Sequence, residues 1–170
     1  MKKVAIFGKP GSGKSTVSKA LAAATGIELH QLDSIQYQAN GELTPRAAFD
    51  TAHQEILNSD SWIIDGFGPL SAFNQRLEAA DTLIYIDLPY AVSYWFVTKR
   101  CLKGVFVKPD GWPEGSSVIK GTIQSYKTLK LCPQFWNNDF LSRLELVSKG
   151  KKLHVIKTVS ELTNFASQNA

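Results

Sequence analysis

Short apolar runs alternate with amphipathic stretches from one end of the chain to the other. Val4-Ala5-Ile6-Phe7 reads as a buried strand, and Thr16 to Ala24 as a helix. Ile27 to Leu32 is a short strand that ends at Asp33. Thr44 as N-cap and Pro45 at the first helical position open the next helix. Ala48, Phe49, Ala52, Ile56 and Leu57 form its apolar face. Trp62-Ile63-Ile64 is a third strand ending at Asp65-Gly66, followed by a short helix from Ser71 to Ala80. Thr82 to Asp87 is a fourth strand, closed by Pro89, with a helix from about Ala91 to Lys103 behind it. Helical stretches are expected over 117–131 and 134–148, and Lys152 to Ile156 is a fifth strand. Thr158-Val159-Ser160-Glu161 is a capping box for a last helix.

Strands alternating with helices predict an α/β fold: one domain over 1–170, a five-stranded parallel sheet with helices on both faces. The first strand-to-helix connection is Gly8-Lys9-Pro10-Gly11-Ser12-Gly13-Lys14-Ser15, with Thr16 following. This is the G-x-x-x-x-G-K-[ST] phosphate loop in the strand–loop–helix context it requires, and it specifies the three-layer P-loop NTPase fold. Gly8, Gly11 and Gly13 let the backbone bend tightly around a phosphate chain. The N–H groups of the loop that bends at Pro10, from Gly11 and Ser12 to Thr16, and the helix N-terminus then face the anion. Lys14 reaches the β- and γ-phosphates, and Ser15 supplies a hydroxyl to Mg²⁺.

Composition changes this picture little. The chain has 170 residues, 44% hydrophobic and 20% charged, the balance of a globular domain with one sizeable core. No apolar run approaches the ~20 residues a membrane-spanning helix needs. The two N-terminal lysines and the apolar run after them resemble a weak signal peptide, but that run leads straight into the phosphate loop. A cytoplasmic location is therefore expected, where Cys101 and Cys132 stay reduced. The net charge of +4 comes from scattered lysines and suits a protein that handles polyanionic nucleotides. A nucleic-acid partner is not expected.

Ligands bind open parallel sheets at the carboxyl ends of the strands. Gly8, Asp33, Asp65 and Asp87 all fall there. Asp65, after an apolar run, is the expected metal-side acid together with Ser15. Asp33 is placed on the acceptor side, to orient the acceptor or act as base. Asp87 reads as a turn or helix-start residue. The chain has four arginines, Arg46, Arg76, Arg100 and Arg143. Arg46, in the first turn of a helix where a cation is unfavourable, is expected to face an anionic acceptor. Arg100 precedes a stretch rich in glycine and proline, and residues 104–117 are expected to form a lid that carries it. Arg76, just before Leu77-Glu78, reads as a structural ion pair. Phe106, Trp112, Tyr126 and Trp136 are either base-stacking or packing aromatics.

The phosphate loop, Asp33, Trp62-Ile63-Ile64-Asp65-Gly66, the run 76–81 and Tyr85-Ile86-Asp87-Leu88-Pro89 together resemble the adenylate-kinase-related P-loop kinases. Within these the pattern is most similar to the group of topology modulation proteins. The resemblance covers about residues 1–103 and the final strand and helix. It implies ATP on Gly11 to Thr16, and Mg²⁺ near Ser15 with Asp65 acting directly or through water. It also implies a small-molecule acceptor near Asp33, Arg46 and Gly66, and a lid after Arg100. The chain differs from adenylate kinases proper in two places. Phe67-Gly68-Pro69 is not followed by arginine, and 104–142 contain none. Lys103, Lys108, Lys120 or Lys127 could substitute as point charges, without bidentate geometry.

Two other functions compete with a kinase. Asp65-Gly66-Phe67-Gly68 fits the D-x-x-G of a GTPase, but no guanine-reading N-K-x-D follows. A nucleotide-binding protein that acts through a partner also fits the arginine-poor lid.

Overall fold

The structure is a computed structural model and describes residues 1–38, 42–104 and 118–168. Its elements are β1 (Lys3–Gly8), α1 (Lys14–Thr25), β2 (Leu29–Gln31), α2 (Leu32–Gln36), α3 (Arg46–Asn58), β3 (Trp62–Asp65), α4 (Leu70–Ala79), β4 (Thr82–Ile86), α5 (Tyr90–Gly104), α6 (Val118–Phe135), α7 (Asn138–Val147), β5 (Lys152–Ile156) and α8 (Val159–Gln168). The five strands form one sheet in the order β2-β3-β1-β4-β5, and every pairing is parallel.

Residue parity along the strands divides the core into two faces. Val4 and Ile6 of β1, Ile63 of β3 and Ile84 and Ile86 of β4 pack with Val17 and Leu21 of α1 and Leu162 of α8. The alternate residues Ala5 and Phe7, Trp62 and Ile64, and Leu83 and Tyr85 pack with Phe49, Phe73, Phe140 and Leu144 from α3, α4 and α7. Both faces of a parallel sheet must be covered, so the central strands β1, β3 and β4 are buried at nearly every position. Phe7 is the centre of the second face, edge-on to Phe73 at 5.2 Å and stacked on Tyr85 at 5.5 Å. Trp136 joins this cluster, stacked on Tyr85 at 5.3 Å, so it is a packing aromatic and not a base platform.

Strand order determines where a ligand can sit. The chain lays β2 and β3 on one side of β1, then crosses to place β4 on the other side. β1 is therefore the switch point, and the crevice beyond its carboxyl end opens onto the loop that starts at Gly8.

Several boundaries differ from the sequence reading. Asp33 is not the end of a strand but lies in the first turn of α2. Pro45, not Thr44, is the N-cap of α3, with extended ψ and no side-chain cap. α6 runs through Pro133, which sits in its last turn, so the break expected near 132–134 falls instead at Trp136-Asn137. Only Gln134 and Phe135 of the helix lie beyond the proline, and Trp136 N–H still donates to Cys132 O at 2.8 Å. β5 has the expected bounds, and the capping box forms. Thr158 Oγ1 accepts from Glu161 N–H at 3.1 Å, while Glu161 Oε2 accepts from Thr158 N–H at 3.3 Å. The lid expected over 104–117 lies outside the described residues except for Gly104, as do Phe106, Lys108 and Trp112.

Candidate active site

The loop from Gly8 to Gly13 turns back on itself between β1 and α1. Gly8 has φ 150° and Gly11 φ 67°, and a Cβ would meet Ile86 O at 2.3 Å and Ser93 O at 2.5 Å. Both contacts are backbone, which cannot yield cheaply, so only glycine fits at these two positions. Gly13, also left-handed, is the N-cap of α1. The Lys14 and Ser15 amides, at the start of α1, have no carbonyl behind them in the helix and face the turn of the loop, whereas Thr16 N–H donates to Gly13 O at 3.1 Å. Lys14 folds over that turn, and its Nζ donates to Lys9 O at 2.8 Å. Ser12 is buried, whereas Ser15 and Thr16 are exposed at the mouth of the loop.

Asp65 reaches the loop because of its parity. It lies two residues after Ile63 and so points to the α1 face, beside Ile6 in the register of β1 with β3. Its Oδ2 accepts from Ser15 Oγ at 2.9 Å and from Ser18 Oγ at 3.2 Å. Asp65 is only 4% exposed, and its Oδ1 is buried with no hydrogen-bond partner among the described residues. Burial pushes its carboxyl above the usual range. The Lys14 charge and the two serine hydroxyls pull it back, and Asp33 adds to the rise. Lys14 is shifted in the complementary sense. Desolvation lowers it, and the nearby charges of Asp65 and Asp33 raise it.

Arg100 completes the group. Burial lowers its pKa and the Asp33 carboxylate opposes this. Its own field acts on Lys14. Lys14, Asp33, Asp65 and Arg100, from α1, α2, β3 and α5, thus share one electrostatic neighbourhood at the carboxyl edge of the sheet. Arg100 Nη2 donates to Ser125 Oγ of α6 at 2.9 Å, so its guanidinium is held between two helices. Tyr126, the next residue of α6, stacks on Tyr94 at 5.7 Å and shares a hydrogen bond with Thr98.

Arg46 is placed differently. Its Nε donates to both carboxylate oxygens of Asp50, one turn along α3, at 2.8 Å, and its Nη2 to Ser71 Oγ of α4. The guanidinium lies on the exposed outer side of the α3–α4 pair, where it lines an open groove of about 510 Å³ with Gln54, Asn58 and Gln75. The expected partnership with an anionic acceptor finds its donors already turned to neighbours of the same surface. Gly66, the other acceptor-side residue, has φ 124° and donates its N–H to Ile6 O at 3.2 Å.

Two buried basic side chains have partners that the sequence reading does not give them. Lys9, an unspecified position of the motif, is 2% exposed, ion-paired with Asp87 and 4.7 Å from the Tyr90 ring centroid. Asp87 therefore anchors the loop to the end of β4 rather than merely starting a turn. Arg76, expected to form a structural ion pair, is 1% exposed and bonds backbone carbonyls. Its Nη2 donates to Gly66 O at 3.1 Å and to Phe67 O at 2.7 Å. Desolvation lowers its pKa to about 9, opposed by the charge of Asp65. The only signal of either role in the sequence was position. Lys9 lies inside the loop, and Arg76 lies on the face of α4 that Phe73 and Leu77 bury.

Among the described residues no cluster of three or more His, Cys, Asp or Glu side chains forms a cage that could hold a metal by protein ligands alone. No helix among them is long and apolar enough to cross a membrane.

No family model matches the chain, and no curated protein matches it. Among solved structures, an unliganded sugar kinase from Janibacter sp. HTCC2649 is similar over 99% of this chain and 91% of its own, with a TM-score of 0.47 and 14% sequence identity.

Proposed function

We propose that this chain is a phosphotransferase that moves the γ-phosphoryl group of Mg²⁺-bound ATP to a nucleotide or other small-molecule acceptor. The observation that carries this reading is the shared neighbourhood of Lys14, Asp33, Asp65 and Arg100 around a glycine loop that only glycines can form. A site built only to hold phosphates needs the loop and Lys14. A second carboxylate and a second cation beyond the phosphates are what transfer to an acceptor adds.

The donor set fits a divalent cation. The unpartnered Oδ1 of buried Asp65 and the exposed hydroxyl of Ser15 are hard oxygen donors at the phosphate end of the loop. Mg²⁺ takes one or two such protein oxygens and fills its remaining positions with water and phosphate, which agrees with the lack of an all-protein cage among the described residues. When bound, it would neutralise charge on the β- and γ-phosphates.

The remaining work falls to side chains. Lys14 leaves Lys9 O and places its ammonium on the phosphate oxygens, where a preorganised cation in a water-poor site lowers the barrier most. Asp33, exposed at the rim, accepts the hydrogen of an acceptor hydroxyl and orients its oxygen in line. Arg100, across from Asp33, supplies charge to the group in flight.

ATP consumption measured against a panel of nucleoside monophosphates, nucleosides and sugar acids tests the proposal. One panel member should raise consumption well above the acceptor-free rate, and Lys14→Ala should abolish the rise. Tight nucleotide binding with no stimulation by any member would favour the binding-protein reading instead.

A further inference from the structure

Arg76 is a full positive charge, 1% exposed, on a helix whose other buried residues are Ala72, Phe73 and Leu77. A buried guanidinium is costly unless its donors and its charge are met. Here Nη2 meets two consecutive carbonyls, Gly66 O and Phe67 O. Successive carbonyls point to one side only where the chain bends sharply, and the bend is supplied by Gly66 at φ 124° and Gly68 at φ 63°. Nη1 faces the same turn, 3.7 Å from where a Cβ on Gly68 would lie, and is buried without a partner among the described residues. The carboxylate of Asp65, the residue immediately before the bend, offsets part of the cost of burying this charge.

The geometry points to Arg76 as a positioning residue that clamps the 66–68 turn and thereby fixes the direction in which the unpartnered Oδ1 of Asp65 presents itself to a nucleotide-bound Mg²⁺. This rests on the phosphate-site reading above and goes beyond it. It assigns to α4 a part in metal presentation that the loop motif does not contain. The phosphate loop has its own scaffold in Lys9–Asp87 and the contacts of Gly8 and Gly11. Loss of the clamp should therefore leave metal-free nucleotide binding intact and weaken only the part that depends on the metal.

Binding of a fluorescent ATP analogue (the mant derivative) with Mg²⁺ and with EDTA, in the wild type, Arg76→Lys and Arg76→Met, tests this. The wild type should bind more tightly with Mg²⁺. Arg76→Met should keep the EDTA affinity within about twofold and lose about tenfold of the Mg²⁺-dependent gain. Arg76→Lys, which keeps the charge and can reach one carbonyl, should lose about threefold. It also carries the test if the methionine variant does not fold. Faster amide exchange at Gly66 to Gly68 in Arg76→Lys, read without nucleotide, should accompany the loss. An unchanged Mg²⁺-dependent gain in Arg76→Lys, or equal losses with and without Mg²⁺, would reduce Arg76 to a structural residue and overturn the proposal. Failure of the wild type to bind the analogue at all would overturn the phosphate-site reading, and this inference with it. Binding without any Mg²⁺ dependence would overturn the inference alone.

Discussion

The phosphate side and the acceptor side of the crevice are built in different ways. The proposed phosphate side is a run of consecutive residues, 8–16, that would present mostly backbone groups, held by forced glycine geometry at Gly8 and Gly11. It is braced from outside by Asp87 on Lys9. The acceptor side, on the proposed reading, is assembled from single side chains on separate elements, Asp33 on α2 and Arg100 on α5. Function that rests on backbone shape is robust to most substitutions around it but fails when one key group is lost. Function that rests on scattered side chains should degrade one property at a time.

The largest effect should come from the phosphate side. Lys14→Ala removes a charge-assisted contact from the transferring group and should cost about 3 kcal/mol of transition-state stabilisation, about a hundredfold in rate. A steady-state assay with saturating acceptor checks this. A loss of less than about threefold would break the division drawn here. Asp33→Asn should act more narrowly, raising the acceptor KM by about tenfold while leaving nucleotide affinity within about twofold, since one oriented hydrogen bond to a charged group is worth ~1.5–3 kcal/mol. If nucleotide affinity falls equally, Asp33 belongs to the phosphate side.

The same contrast explains what could be read before the fold was known. The loop was legible because Gly8, Gly11, Gly13 and Lys14 carry their chemistry in their spacing. Asp65 was legible because an acid after an apolar strand must leave the sheet at its ligand-binding edge. Lys9 and Arg76 were not, because their partners lie 78 residues away in one case and on backbone carbonyls ten and nine residues away in the other. A carbonyl partner leaves no trace in residue identity. The helix-end argument for Arg46 could not see its pairing with Asp50 one turn later. Pro133 suggested a break that the short remaining turn made unnecessary.

A third prediction concerns the buried cluster behind the acceptor side. His53 is 1% exposed and stacked on Phe49 at 5.8 Å. Burial, with help from Arg76, holds its pKa down to about 4 from an ordinary value of 6.5. The unfolded chain therefore takes up a proton at higher pH than the folded one. Stability from this group is complete above pH about 6.5 and is lost as pH falls from there toward about 4. Thermal melts from pH 7.5 to 4.5 should show a slope over that window that His53→Leu flattens. An unchanged slope would assign the acid sensitivity to carboxylates elsewhere.

The smallest effect should be at Arg46, whose pairing with Asp50 is half-exposed. Arg46→Ala should change stability by no more than about 0.5 kcal/mol and leave transfer rates untouched. A large rise in acceptor KM would move this arginine into the site after all.

The central claim is that residues 8–16 are a polyphosphate cradle, and amide hydrogen exchange tests it most directly. On addition of ATP with Mg²⁺, the amides of Gly11 to Thr16 should become strongly protected in the wild type. In Lys14→Ala the protection should be much weaker at the same nucleotide concentration. Exchange across 8–16 that is unaltered by saturating nucleotide would contradict the account, whatever protection appeared elsewhere in the molecule.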